Sequence, residues 1–385
     1  MNQDTPVILI GPMCEDPAES VSAVNRAFVD GLQDRFSFVC SACNRRYGAT
    51  RQSQLNLWNL YYLLKHLLIW FTRLLQYRPQ IAHYAISSGT AMEKGFLMLG
   101  LARICGARTV GHLHSGGFID HWNQLSRMRR HFASRQLAKL DGFIVLSETW
   151  RELIEEHIGI ARDKIFVVNN PIATSFEDAM IALPLERPGN RLLSLGTMGR
   201  GKGVLELVAA CAVVAKETRD FMLDIVGPER EPGIRDQVSR KVMNLGLTAL
   251  VHLQGSVRGP AKLDLFREAS IFVLPSHFEN FPLVVLEAAA AGQAIIVTRV
   301  GAVPEFFEDG ISAIFVDIGN EAQLADAITR LVGNTDERLR LAAGAREAFL
   351  RRLSRAGILK SLLGVYEDVL CLPHANAGPT ARSPN

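Results

Sequence analysis

Short apolar runs each followed by a helical pattern, a second set of the same alternation, and one proline-containing loop between the two sets place this 385-residue chain in the α/β class. Strand and helix in alternation build a parallel sheet covered on both faces, since each strand returns through a crossover. Two such sets predict two Rossmann-like parallel-sheet domains facing an interdomain cleft, with any ligand at the carboxyl ends of the strands. The first set reads VILIG at 7–11, FSFVC at 36–40, IAHYAI at 81–86, RTVGHLH at 108–114 and GFIVLS at 142–147. The loop NNPIATSFEDAMIALPLERPGN at 169–190 carries the boundary, and LLSLG, FMLDIVG, VHLQG, SIFVLPS, AIIVT and AIFV follow it. The expected domains are 1–175 and 176–355, then a helix at 356–372 returning to the first domain, and a polar tail at 373–385 expected to be disordered.

With 48% hydrophobic and 21% charged residues the chain can bury a sizeable core, which excludes disorder along its whole length. Its 42 basic and 39 acidic residues leave a formal charge of +3, too even for a protein defined by binding nucleic acid. The opening MNQDTPVILIGP lacks the basic and apolar regions of an export signal, so the expected location is cytoplasmic. Six scattered cysteines do not make a disulfide scaffold. Cys40 and Cys43 form one C-x-x-C with no second pair at zinc spacing, and two buried thiols are expected there rather than a metal or redox site.

The sharpest constellation runs from Pro275 to Gly310. A strand leads into a loop bearing Glu279, and Pro282 suits the first position of a helix reaching about Ala291. The amino end of that helix offers unpaired amides and a partial positive charge, a ready place for phosphate. Glu287 lies about 7.5 Å further along the axis, at ~1.5 Å per residue, within reach of a ribose whose hydroxyls a carboxylate accepts. The plainer reading makes Glu279 a solvated loop residue and Glu287 a surface residue of the helix.

The second element, LLSLGTMGRGKGVLELVAA at 192–210, is a strand, a glycine-rich turn and a helix. Gly196, Gly199, Gly201 and Gly203 let backbone approach a ligand, and Lys202 sets a cation at the helix start. The spacing nearly spells a Walker A loop, but Gly203 stands where a Ser or Thr must hold Mg²⁺, which argues against an NTPase.

Together, Lys202-Gly203 and the E-x7-E pair Glu279 and Glu287, followed by Gly301, Pro304, Glu305, Asp309 and Gly310, resemble the family 4 glycosyltransferases of bacterial surface polysaccharide assembly, retaining enzymes with the GT-B fold. Ala302 stands where that family's GG-x-PE segment has its second glycine. The resemblance covers most of the chain and is weakest over 12–75. It implies that Glu279 binds the transferred sugar and Glu287 the ribose, that Lys202 pairs with the diphosphate, and that the amides of Asn280, Phe281 and Leu283 line the pocket. Many relatives carry Arg directly after the first loop glycine. Thr197 follows Gly196 here, and Arg200 is the candidate substitute for that cation.

In the first half, His114-Ser115-Gly116-Gly117-Phe118 is similar to the family's strand-end H-G-x-x-F segment, with Ser115 in place of the first glycine. His114 would then touch the donor sugar across the cleft; the plainer reading is a structural hydrogen-bonding histidine, and His112 and His121 are weaker candidates. No D-x-D metal motif occurs, so the resemblance leads to metal-independent transfer with no cofactor beyond the nucleoside diphosphate sugar. The expected acceptor is a glycan or a polyprenyl-diphosphate-linked glycan. The alternatives are a non-catalytic GT-B-like subunit binding a glycan or protein partner, and a sugar-nucleotide epimerase of similar fold.

Two segments bear on where such an acceptor is met. LNLWNLYYLLKHLLIWFTRLLQYRP at 55–79 is apolar but interrupted by Lys65, His66 and Arg73, so it suits an interface or a buried crossover helix and not a membrane span. SRMRRHFASRQLAKL at 126–140 has Arg127, Arg129, Arg130, His131, Arg135 and Lys139 without an acid. It reads as a solvated face or as a contact with a lipid-linked diphosphate or the anionic inner face of the cytoplasmic membrane.

Overall fold

The computed structural model describes residues 5–13, 20–42 and 57–372, so Cys43, half of the C-x-x-C pair, and the tail at 373–385 lie outside the described residues. In the first half, β1 (Val7–Met13), α1 (Ser20–Leu32), β2 (Ser37–Ala42), α2 (Leu57–Tyr77), β3 (Ile81–Ile86), α3 (Thr90–Ile104), β4 (Arg108–Leu113), α4 (Phe118–Gln124), α5 (Arg127–Ala138), β5 (Gly142–Val145), α6 (Glu148–Ile158) and β6 (Ile165–Val167) form a parallel sheet in the order β2-β1-β3-β4-β5-β6. The linker holds α7 (Thr174–Ile181).

In the second half, β7 (Arg191–Leu195), α8 (Val204–Glu217), β8 (Met222–Val226), α9 (Ile234–Asn244), β9 (Val251–Gln254), α10 (Pro260–Glu268), β10 (Ile271–Leu274), α11 (Leu283–Ala291), β11 (Ala294–Thr298), α12 (Val303–Phe306), β12 (Ile314–Val316), α13 (Glu321–Gly333) and α14 (Thr335–Arg352) give a parallel sheet in the order β12-β11-β10-β7-β8-β9. The strand order reverses between β7 and β10, and the loops leaving these two neighbours are the glycine-rich turn and the Glu279 loop. A crevice at such a reversal point is where this sheet class binds ligands.

β4, β5, β10 and β11 are buried throughout, as expected of strands covered on both faces. β6 is absent from the sequence expectation because Ile-Phe-Val is a three-residue edge strand paired only with β5, too short to show a pattern. The β4–β5 connection holds two short helices instead of one, and the Ser126 hydroxyl accepts from the Arg129 amide to start the second. The last helix, α15 (Arg355–Cys371), sets Ile358, Leu362, Val365, Tyr366 and Val369 among Ile8, Val24, Phe28, Ile81 and Val110 of the first half.

α11, with the sequence LVVLEAAAA, has an almost uniformly buried surface, and its alanines let α7, α14 and α10 pack close. Its carboxyl end would leave carbonyls unpaired in the core. Two arginines from distant segments meet them. Arg187 of the linker donates to Ala291 O, to Gly292 O (2.9 Å) and to Arg267 O (3.0 Å), and Arg346 of α14 donates to Ala291 O (2.7 Å). Burial pushes both guanidinium pKa values down, that of Arg187 to about 10, so both remain cations at neutral pH and oppose the negative end of the helix dipole. Arg187→Ala is expected to cost roughly 2–4 kcal/mol of unfolding free energy in urea titration. Combining it with Arg346→Ala should cost less than the sum of the single changes, because the two side chains share one acceptor.

Candidate active site

The glycine-rich turn is folded by contacts that exclude side chains. Gly203 has φ +65°, and a Cβ there would lie 2.1 Å from Pro275 O, so the turn after β7 presses directly on the loop after β10. That contact brings Lys202 to Glu279, 77 residues on: the Lys202 ammonium donates to Glu279 Oε1 in an ion pair whose side chains are 23% and 12% exposed. The Ser276 hydroxyl donates to the same oxygen at 3.0 Å. Glu279 is therefore a partly buried, paired carboxylate and not a solvated loop residue.

The peptide between Glu279 and Asn280 is gripped from both halves. A Cβ at Gly116 would lie 2.8 Å from Glu279 O, and one at Gly301 would lie 2.0 Å from Asn280 O, which also accepts from the Ala302 amide at 2.8 Å. Ala302 adopts ordinary helical angles, φ −83° and ψ −2°, which explains why a second glycine is unnecessary at this place. The Asn280 side chain is buried, and neither its oxygen nor its nitrogen has a partner.

α11 begins one residue later than the sequence suggests: Pro282 is the cap, with extended ψ of 118°, and Leu283 is the first helical residue. The Val285 amide donates to Pro282 O at 3.0 Å, while those of Leu283 and Val284, at the very start of the helix beside Phe281, have no helical acceptor. Phe281 stacks on Phe306 with ring centres 4.8 Å apart. Glu287 is buried, not a surface residue. Its Oε1 takes the Lys262 ammonium at 2.5 Å, its Oε2 is covered and unpartnered, and burial raises its pKa while Lys262 draws it back. Lys262, from the first turn of α10, lies over the Phe176 ring at 5.1 Å. No motif marks it in the sequence; its place at the strand-end side of the sheet, just after Gly259-Pro260, is the only signal.

Arg200 is not brought to this group. Its guanidinium donates to Gln237 at 2.9 Å and lies 3.8 Å from Glu231, so in this structure it does not supply the cation for which Thr197 leaves room. Thr197 and Gly196 lie at the end of β7, where Gly196 O is so close to Gly227 that a Cβ there would come within 1.7 Å. Among the described residues no cluster of three His, Cys, Asp or Glu suits a metal ion.

On the opposite wall, the His114 amide donates to Ile86 O at 3.0 Å and the ring lies 4.0 Å from that of His112. Behind it, His112 Nδ1 is 3.2 Å from His83 Nε2, and His83 Nδ1 is 2.6 Å from the Tyr366 hydroxyl on α15. Burial lowers the pKa of His114 to about 4, that of His83 to about 3 and that of His112 well below its usual value. His114 is thus a neutral imidazole at the cleft end of a buried polar row, its Nε2 covered and without a hydrogen-bond partner, two residues before the Gly116 contact with Glu279. Arg129 pairs with Glu93 in a surface contact, Arg130 is half-buried and donates to Asn123 O at 2.9 Å, and both Arg127 and Arg129 are exposed.

Two parallel-sheet halves with a cation, a carboxylate and a helix end gathered between them are the GT-B architecture of glycosyltransferases. The family model "Glycosyl transferases group 1" matches residues 176–348, and "Glycosyltransferase Family 4" matches 27–176. Between them they span most of the chain, which belongs to this glycosyltransferase family. Alpha-maltose-1-phosphate synthase of Mycolicibacterium smegmatis is 27% identical over 60% of this chain and 63% of its own length, so the match spans less than two thirds of that relative. A glycosyltransferase of Rickettsia africae aligns with a TM-score of 0.72 at 17% identity, over 96% of this chain and 99% of its own. HepE of Anabaena, solved with UDP and glucose, aligns with a TM-score of 0.70 at 14% identity, over 94% and 99%.

The buried histidines carry a pH signature. Each has a folded pKa below the unfolded value near 6.5, so as pH falls through that value the unfolded chain takes up protons that the folded chain excludes. Stability is expected to fall between pH 6.5 and 4. Urea midpoints measured across that range should decline less steeply in His114→Asn, by up to one proton in the slope; an identical slope would remove His114 from the account.

Proposed function

We propose that this glycosyltransferase moves a sugar, with retention of configuration and without a metal, from a nucleoside diphosphate to a glycan or lipid-linked glycan acceptor. The observation that carries the reading is the Lys202–Glu279 pair beside the amino end of α11, at the reversal point of the second sheet and in contact with the His114 loop of the first half. As the anomeric C–O bond breaks, negative charge grows on the departing diphosphate. Lys202 and the first amides of α11 supply fixed positive potential where it grows. The diphosphate oxygen takes the proton of the acceptor hydroxyl, which attacks from the same face, and Glu279 holds hydroxyls of the transferred sugar. The uncovered valence of Glu287 Oε2 fits a ribose hydroxyl, with Lys262 fixing the carboxylate. His114, neutral at physiological pH, contributes a hydrogen bond and no charge.

A second part concerns the acceptor. α2, α3 and α5 lie side by side on one face of the first half. They expose Leu60, Leu64, Leu68 and Leu75 in one row of α2, Ile104 on α3, and Met128 and Phe132 on α5. Exposed Lys65, Arg127 and Arg135 border this apolar face. No helix among the described residues is long and apolar enough to cross a membrane. We propose that the face rests on an anionic bilayer, apolar rows at the acyl boundary and basic rows at the headgroups. On this reading Arg127 and Arg135 carry more of the contact than Arg129, which is paired with Glu93, and Arg130, which is bonded to Asn123 O.

UDP, GDP or ADP is expected to raise the melting temperature of the wild-type protein, since a ligand bound only by the folded state must do so. Glu279→Ala should keep that rise yet lose roughly 10²–10³-fold in transfer, and Lys202→Met should lose both. Sugar-nucleotide isomerisation without acceptor would point to an epimerase, and an untouched donor panel with an indifferent Glu279→Ala to a binding subunit. In sedimentation with phosphatidylglycerol vesicles, Leu64→Glu or Arg127→Glu with Arg135→Glu should shift most protein to the supernatant, and equal binding by all variants would remove the membrane reading.

A further inference from the structure

α6 of the first half starts at the strand-end side, just after β5, and its first amides have no partner within the helix. The Ser147 hydroxyl accepts from the Trp150 amide at 3.2 Å, the ordinary cap. The next two donors are satisfied by the other half of the molecule. Glu305 of α12 accepts from the Glu148 amide through Oε2 and from the Thr149 amide through Oε1, each at 3.0 Å. A single carboxylate thus closes the helix end of one half from across the cleft, with its charge against the positive end of the helix dipole.

Glu305 is also mechanically joined to the active site. Its helix follows Gly301 and Ala302, and the Ala302 amide holds Asn280 O next to Glu279. Phe306, the next residue, stacks on Phe281, while the Arg352 guanidinium lies 4.6 Å over the Phe306 ring and donates to Glu305 O. The segment that grips the first half and the segment that carries the sugar-side carboxylate are therefore one packed unit.

We infer that Glu305 is a positioning residue, a latch that sets the closed spacing of the two halves by capping α6 across the cleft. Opening the cleft separates the carboxylate from two amides that only water can then satisfy, so closure is favoured by a directional contact and not by apolar burial alone. The latch acts on the chemistry by fixing where the His114 loop meets Glu279.

The donor side of the contact is testable without touching the second half. Glu148 is the first residue of α6, where proline is tolerated, and Ser147 has the extended angles φ −162° and ψ 167° that a following proline requires. Glu148→Pro therefore deletes one latch donor and keeps the helix. Hydrogen exchange of the full chain should show the peptide covering 147–152 exchanging about tenfold faster in Glu305→Gln. Small-angle scattering should give a larger radius of gyration for Glu305→Gln and for Glu148→Pro, with the double variant opening less than the sum of the two. On the proposed function, kcat should fall while the donor KM stays within about twofold, because the donor groups lie in the second half. Unchanged exchange and unchanged radius in both single variants would overturn the latch. These two measurements need no turnover, so failure of the proposed reaction leaves them to judge the latch alone.

Discussion

The arrangement depends on one buried helix whose two ends do different work. α11 offers its amino end to the cleft, and its other end lies in the core, where the last carbonyls need donors. The anchor is Arg187 and Arg346, both stripped of much of their water, converging on Ala291 O. Their charges lie at the negative end of the dipole, leaving the positive end free for an anion. Five alanine or glycine positions, Ala288–Gly292, let neighbours pack against the helix, so its position follows from small side chains as much as from large ones.

What could be read from the sequence divides by the range of the interactions. The glycine turn and the Glu279 loop were legible because backbone sterics set them: Gly203 needs a positive φ, and Pro282 fits only a helix start. Even there the proline falls one residue outside the helix, since its φ of −72° suits either position and only ψ tells them apart. The burial of Glu287 was not legible, because it is imposed by α10 and by Lys262, which belongs to no motif. Glu305 was visible as a member of a motif, but its partners are backbone amides, which have no residue identity to read. The polar row Tyr366–His83–His112–His114 joins α15 to β3 and β4, and His83 and Tyr366 are separated by 283 residues with no periodic signal between them.

The charge state of the cleft bears on what kind of ligand suits it. On one wall the imidazoles are neutral, and on the other Lys202 and Glu279 offset each other, so the amino end of α11 is the positive potential that this group of side chains leaves uncompensated. A bare phosphate that took Lys202 would strand Glu279, partly buried, with only the Ser276 hydroxyl. Leaving one member of a buried pair alone is costly. On the proposed function a sugar diphosphate avoids that cost: its phosphates engage the ammonium and its hydroxyls donate to the carboxylate, so one ligand replaces both partners at once. The ion pair then acts as a filter favouring ligands that carry an anion and a polyol at the right spacing, a discrimination that arises from breaking the pair and that a single cation would lack.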